Sequence, residues 1–400
     1  LTRILPFKGI TYDLGRVGES LEDLLAPPYD CISEEERKEL EARSPYNVVR
    51  LILPKGYEEA SRRFRSWLED GILKEDPDPS FYVYELEYEV DGRRRDVLGL
   101  IALLEVGGDH VLLHERTFPE PVWDRLSLIS ASMANFEGII GLYEDQDGDV
   151  GKILELRKGP AIEARWRDGS VHRVWGVDPK LVGDLPIAMK GKDILIADGH
   201  HRYEASLALR RHMDEMAGPG PWDYAMAFLF ETRGLSILSY HRLIRGISGG
   251  IEGTLARLSS RFDLEIGKES LLDEVMAESS QHHVFGLYFG KGRYGILRVK
   301  RGSYGDPVRA LDLSAFHDIV MEWVGNVDGM AYTYDKEEAI ALVDSGDYDL
   351  AVIIRPVSPD EVWAVARAGG RMPQKATYFH PKPLSGLVMR RMGEVRRCSM

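Results

Sequence analysis

Residues 193 to 213, Asp-Ile-Leu-Ile-Ala-Asp-Gly-His-His-Arg-Tyr-Glu-Ala-Ser-Leu-Ala-Leu-Arg-Arg-His-Met, constrain the fold more than any other stretch. Ile194, Leu195, Ile196 and Ala197 make the short apolar run of a buried strand. Asp198 and Gly199 can turn the chain. From Tyr203 onward, Ala205, Leu207, Ala208 and Leu209 predict a helix with one apolar face. The polar residues Asp198, Gly199, His200, His201 and Arg202 therefore fall at a strand-to-helix junction. Unpaired N–H groups and the helix dipole favour a phosphate or carboxylate at such a place, and the Arg202 fork matches phosphate oxygens. The same residues also read as a capping Asp, a turn Gly and two solvated histidines.

A chain of 400 residues exceeds one ordinary domain. The stretch Gly218-Pro219-Gly220-Pro221 is its clearest linker. It predicts a mixed α/β region over 1–217, carrying the phosphate site, and an α+β domain over 222–400 that ends in a basic, aromatic tail. A formal net charge of -14 opposes broad attraction to nucleic acid or anionic membranes. No apolar run reaches bilayer length and no leader pattern opens the chain, so a cytoplasmic protein is expected. Cys31 and Cys398 stand far apart and form neither a metal-ligand spacing nor a disulfide framework.

Near the amino terminus, Ala26-Pro27-Pro28-Tyr29-Asp30 forbids a helix and holds Asp30 on a stiff turn. Ser33 with Glu36 predicts the start of a polar helix. Residues 47–53 read as a strand, and residues 57–73 as a helix with Ala60, Phe64, Trp67 and Leu68 on one face. Residues 81–105 form an antiparallel hairpin around Gly92. The next strand, from Val111, empties into His114, Glu115, Arg116 and Thr117. That set offers a base, an acid, a phosphate clamp and a hydroxyl at one strand end. Asp124 and Arg125 then begin a helix that runs to Asn135, and Gly138 to Tyr143 is another apolar strand.

Beyond the linker, strands at 224–231 and 235–240, a hairpin around 285–299, a strand at 350–354 and interspersed helices complete an α+β pattern. The tail from Arg371 to Pro383 sets three cations, a hydroxyl and two aromatics between prolines. It suits an arm over an anionic ligand, with Arg371 and Lys375 as phosphate contacts. Templates for a P-loop, a protein kinase or a His-Glu-x-x-His site are missing. Adjacent His200 and His201 would project about 100° apart on a helix, which disfavours zinc.

The segment Asp198-Gly199-His200-His201-Arg202 resembles the Gly-Cys-His-Arg-Tyr segment of sulfiredoxins and the Asp-Gly-His-Thr-Arg segment of free-serine kinases, in the ParB-like fold group. Pro6-Phe7-Lys8-Gly9-Ile10, Ala26 to Asp30, His114 to Phe118, Ile196 to Glu204 and Arg371 to Lys375 with Thr377-Tyr378-Phe379 occur in an order similar to domain-of-unknown-function family 1015. These resemblances imply a ParB-like α/β region with an inserted β-meander, followed by an α+β domain. They imply a nucleotide-dependent phosphotransferase acting on a small hydroxylated metabolite such as an amino acid, with Mg²⁺ and a nucleoside di- or triphosphate, ATP or ADP. Gly199, His200, His201, Arg202, Arg116, Thr117, Arg371 and Lys375 would bind phosphates. Asp198 would hold the metal or orient the acceptor, and Glu115 or Asp30 would be the base. His200 stands where sulfiredoxins carry their cysteine, so sulfinic-acid reduction does not carry over. The alternatives are a nucleotide-binding switch, as in ParB-type proteins whose homodimer closes on nucleotide, and a phosphometabolite hydrolase.

Overall fold

The computed structural model describes residues 2–90, 92–157, 161–276, 281–373 and 375–393. It is a mixed α/β protein whose chain divides into two compact units. The first comprises Leu1–Leu113, Thr117–Ser236 and Pro381–Met400, and the second His114–Arg116 and Ile237–His380. No helix among the described residues is long and apolar enough to cross a membrane.

In the first unit, α1 (Glu34–Arg43) begins where Ser33 accepts the Glu36 N–H. Residues 47–53 are not the expected strand. They turn into a short helix, α2 (Val49–Ile52), because the Asn47 side chain accepts the Val49 N–H at 2.9 Å and donates to the carbonyls of Asp23 and Leu25. A brief apolar run does not tell a buried helical turn from a strand, and this side-chain bonding decides between them. Helix α3 (Tyr57–Glu69) follows, with Ala60, Phe64 and Trp67 buried.

The strands β1 (Tyr82–Val90), β2 (Arg93–Glu105), β3 (Val111–Leu113), β4 (Ile139–Tyr143), β5 (Ile162–Arg165), β6 (Val171–Gly176), β7 (Ile194–Asp198) and β8 (Tyr224–Glu231) lie in the order β3-β7-β4-β8-β2-β1-β6-β5, and Ile4–Leu5 also pairs with β2. Pairing is parallel for β3 with β7 and for β4 with β8, and antiparallel elsewhere. The hairpin expected over 81–105 is therefore part of the large sheet. Strand β8, which follows the Gly-Pro-Gly-Pro stretch, sits between β4 and β2. Ile139, Ile194, Ile196 and Leu229 belong to one apolar core with Leu100 and Tyr203.

Helices α4 (Pro119–Ser132) and α5 (His200–Ala217) flank the junction residues. A terminal strap closes this unit: Met389 exchanges two backbone hydrogen bonds with Ile10, both at 2.8 Å, and Ser385 pairs with Ala26.

The second unit is built on an antiparallel sheet. Its strands are β9 (His241–Arg245), β10 (Asp263–Gly267), β11 (His282–Tyr288), β12 (Tyr294–Lys300), β13 (Gly329–Thr333) and β14 (Leu350–Ile354), in the order β10-β12-β11-β14-β9-β13. Strand β9 begins at His241, just past the strand expected over 235–240. Helix Lys336–Asp344 packs on a face formed by Leu243, Val284, Ile296 and Ile353. The described residues Glu269–Leu271 and Leu272–Met276 are helical.

Candidate functional site

Strand β7 ends at Asp198, and α5 begins at His200, three residues earlier than the sequence predicts. Gly199 makes the corner at φ 83 and is the helix cap, with no side-chain capping bond. A left-handed corner of this kind suits glycine. The glycine cap offers no side chain to the N–H groups of the first helical turn, which favours an anion there. The register between β7 and β4 slips between Ile196 and Asp198, a bulge that re-aims the strand end.

Arg202 returns from the first turn of α5 toward this corner. Its Nη2 donates to Asp198 Oδ2 at 2.8 Å, and its Nη1 donates to the Gly138 carbonyl. Its buried Nε has no hydrogen-bond partner among the described residues. Burial opposes the Arg202 charge, but Glu137, Asp198 and Asp30 outweigh it and push the pKa above the ordinary arginine value.

The strap supplies the counter-charge. Lys382 Nζ lies 2.5 Å from Asp198 Oδ1 and 3.4 Å from Asp30 Oδ2. The Lys382 side chain is only 7% exposed and that of Asp198 16%, whereas Asp30 is 41% exposed. Burial disfavours the ammonium, yet Asp198 and Asp30 hold its pKa well above the lysine value. Each Asp198 oxygen faces a cation, while Asp30 presents its carboxylate to solvent. Cys31 is exposed beside it, its thiol 3.8 Å from Asp30 Oδ1.

Behind this cluster, Glu137 joins three segments. Its Oε1 accepts the Tyr29 N–H at 2.9 Å and the Ser385 hydroxyl at 3.1 Å, and its Oε2 lies 3.7 Å from Arg125 Nη1. The Arg125 guanidinium covers the Tyr29 ring at 4.0 Å and donates to the Ile52 carbonyl at 2.7 Å. The Pro27–Asp30 turn, α4 and the strap thus share one buried carboxylate. A cavity of about 40 Å³ between Arg125, Asn135, Glu137, Arg202 and Ser206 exceeds the ~10–15 Å³ that one water needs.

His201 Nε2 accepts the Phe118 N–H at 3.2 Å, which fixes the tautomer with the proton on Nδ1. Burial lowers its pKa, so the ring is neutral at pH 7. His200 is buried, and Thr117, in the same unit, is half-buried.

The structure brings Asp30, Asp198, Gly199, His201 and Arg202 together in the first unit. Glu115, Arg116, Arg371 and Lys375 belong to the second unit, where Glu115 bridges to Met372. His114 is fully buried there, its Nε2 3.2 Å from Thr377 Oγ1. Sequence reasoning missed Lys382 and Glu137. The only local signal for Lys382 is its place between Pro381 and Pro383, which fixes a short rigid strap. Among the described residues no group of three or more His, Cys, Asp or Glu could hold a metal ion. Both Asp198 oxygens face cations, so Asp30 is the carboxylate open to a magnesium ion, and only to one that takes most of its ligands from phosphates and water.

Residues 4–314 match the family described as "Protein of unknown function (DUF1015)". The chain belongs to this family. The DUF1015 match takes in Asp30, Glu137, Asp198 and Arg202, and stops short of the strap that carries Lys382. No curated protein matches the chain. Three solved structures are distantly similar. A conserved hypothetical protein from Pyrococcus furiosus is 15% identical, with a TM-score of 0.33, over 68% of this chain and 87% of its own. A free serine kinase in complex with AMP is 15% identical, with a TM-score of 0.36, over 68% and 84%. SbnI with a C-terminal truncation, from Staphylococcus aureus, is 13% identical, with a TM-score of 0.38, over 71% and 85%.

Proposed function

We propose that the first unit is a phosphoryl-transfer centre: a nucleotide-dependent phosphotransferase acting on a small hydroxylated metabolite such as an amino acid. The observation that carries this reading is the corner at Gly199. A helix start whose glycine cap offers no side chain meets a buried guanidinium whose Nε has no hydrogen-bond partner among the described residues, and a solvent-facing carboxylate, Asp30, is held beside it by Lys382.

The cradle is formed by the first-turn N–H groups of α5 and Arg202, with neutral His201 at its rim. Asp198 is locked between Lys382 and Arg202, which suits it to orienting the acceptor. Asp30 is the base. It takes the proton of the acceptor hydroxyl as the new oxygen–phosphorus bond forms, and the electron pair of the broken bond leaves with the nucleotide shortened by one phosphate, the diphosphate from ATP or the monophosphate from ADP. Lys382 and Arg202 neutralise charge that gathers on the phosphoryl oxygens. A magnesium ion arriving with an ATP or ADP substrate would be held by Asp30, and by Asp198 where it displaces Lys382 or Arg202, and would supply further charge neutralisation.

The test is a thermal-shift screen of the whole chain against ATP, ADP, CTP, GTP and inorganic phosphate with Mg²⁺, repeated on Arg202→Ala. Ligands that bind the native state raise the apparent stability. We expect a nucleotide-specific shift that Arg202→Ala removes, and nucleotide consumption that depends on an added hydroxylated acceptor. Unchanged nucleotide binding in Arg202→Ala overturns the cradle. Slow consumption that ignores every acceptor overturns the transferase in favour of a switch.

A further inference from the structure

Strand β13 is an edge of the second sheet, and Tyr332 on it and Tyr334 just beyond it are 42% and 44% exposed. The Tyr378 ring lies parallel to that of Tyr334, centroids 4.2 Å apart with 4° between planes. Tyr240 meets Tyr378 edge-on at 5.6 Å, and the His380 ring lies 6.0 Å from Tyr378. Two cations stand on these rings: Lys375 Nζ 4.9 Å from the Tyr240 centroid, and the Arg242 guanidinium 5.3 Å from that of Tyr332.

Arg242 is the unusual member. It is fully buried and, among the described residues, pairs with no carboxylate. It donates to the carbonyls of Tyr240 and Lys375, and its buried Nε has no partner. Its histidine neighbours add no second positive charge, since burial keeps His241 and His317 neutral at pH 7. Lys375, whose carbonyl it holds, adopts a left-handed φ of 55. Non-glycine residues held in this way concentrate at ligand sites. A half-exposed parallel ring pair does not serve core packing. It leaves ring surface open to a third ring, next to the cations of Lys375 and Arg242.

We propose that this tyrosine cluster is a binding site for a planar aromatic anion of the nucleoside monophosphate class. The base stacks on Tyr334, and its phosphate is drawn by the field of Lys375 and Arg242. The net charge of -14 opposes a polyanion as the guest, which favours a ligand with a single phosphate. The site lies wholly in the second unit and does not depend on the phosphate cradle.

The test is calorimetric titration of the full chain carrying Arg202→Ala, which silences the cradle, with adenosine 5′-monophosphate and with ribose 5-phosphate. Stacking on one aromatic ring should make the nucleotide bind about tenfold more tightly than the sugar phosphate. Adding Tyr334→Phe should keep that preference and adding Tyr334→Ala should abolish it. Tyr334 is half-exposed, so both variants fold. Equal binding of the two ligands, or a preference that survives Tyr334→Ala, overturns the site. A nucleotide preference retained by Arg202→Ala and lost with Tyr334→Ala establishes it, even where the cradle itself fails its own test.

Discussion

The Lys382 ammonium lies 2.5 Å from Asp198 Oδ1, with both side chains largely withdrawn from water. A buried pair is costly to break from one side, because the survivor keeps its charge without its partner. Lys382→Met should therefore destabilise the protein by about 3 kcal/mol, read from the midpoint of urea unfolding. Adding Asp198→Asn should recover part of the loss. A double variant no better than Lys382→Met would mean that the ion pair is not what the lysine contributes.

Gly199 tests the corner. A Cβ there would sit 3.0 Å from Arg202 Nε, on a backbone at φ 83. Gly199→Ala should cost about 1–2 kcal/mol from the left-handed conformation and should weaken phosphate binding by displacing the guanidinium. Phosphate titration of the variant, set against its unfolding midpoint, separates the two effects.

The buried carboxylate of Glu137 should govern the Pro27–Asp30 turn. Glu137→Leu removes the acceptor of the Tyr29 N–H and the charge facing Arg125, at a cost of about 3 kcal/mol or more. Amide exchange at Tyr29 should accelerate well beyond what global destabilisation accounts for, whereas the amides of β11 and β12 should follow the global change alone.

Burial pushes His172 down to about 4, as it does His241 and His317. Between pH 4 and the unfolded value of 6.5 the unfolded chain binds these protons and the folded chain does not. Stability must then rise with pH across that window, by about 1.4 kcal/mol per pH unit for each such ring. It is fully present above 6.5 and lost as pH falls toward 4. His172→Gln should reduce the slope by the equivalent of one proton, measured by urea unfolding at stepped pH.

The strand, corner and helix around Asp198 were legible because each depends on neighbours within a few residues: the Ile194–Ala197 run, the glycine and the alanine- and leucine-rich stretch behind it. The stiff turn at Asp30 was legible for the same reason, from its two prolines. Lys382 was not, since its meaning lies in two carboxylates far away in the chain, and a lysine among prolines near the end of a sequence looks like a solvated tail. Glu137 sits in Asn-Phe-Glu-Gly, which reads as a loop, and only the meeting of α4, the turn and the strap makes it a hub. Residues 47–53 misled because an Asn side chain, invisible to periodicity, folds that apolar run into a helical turn.

The first unit takes its last pieces from the far end of the polypeptide. During synthesis Asp30, Glu137 and Asp198 all emerge well before Lys382 and Ser385, so a growing chain carries clustered carboxylates without the ammonium and hydroxyl that satisfy them. Until the strap arrives, Arg202 and Arg125 offset Asp198 and Glu137, but Asp30 lacks its ammonium. A chain that stops short of Pro381 holds a first unit without the ammonium that faces Asp198 and Asp30.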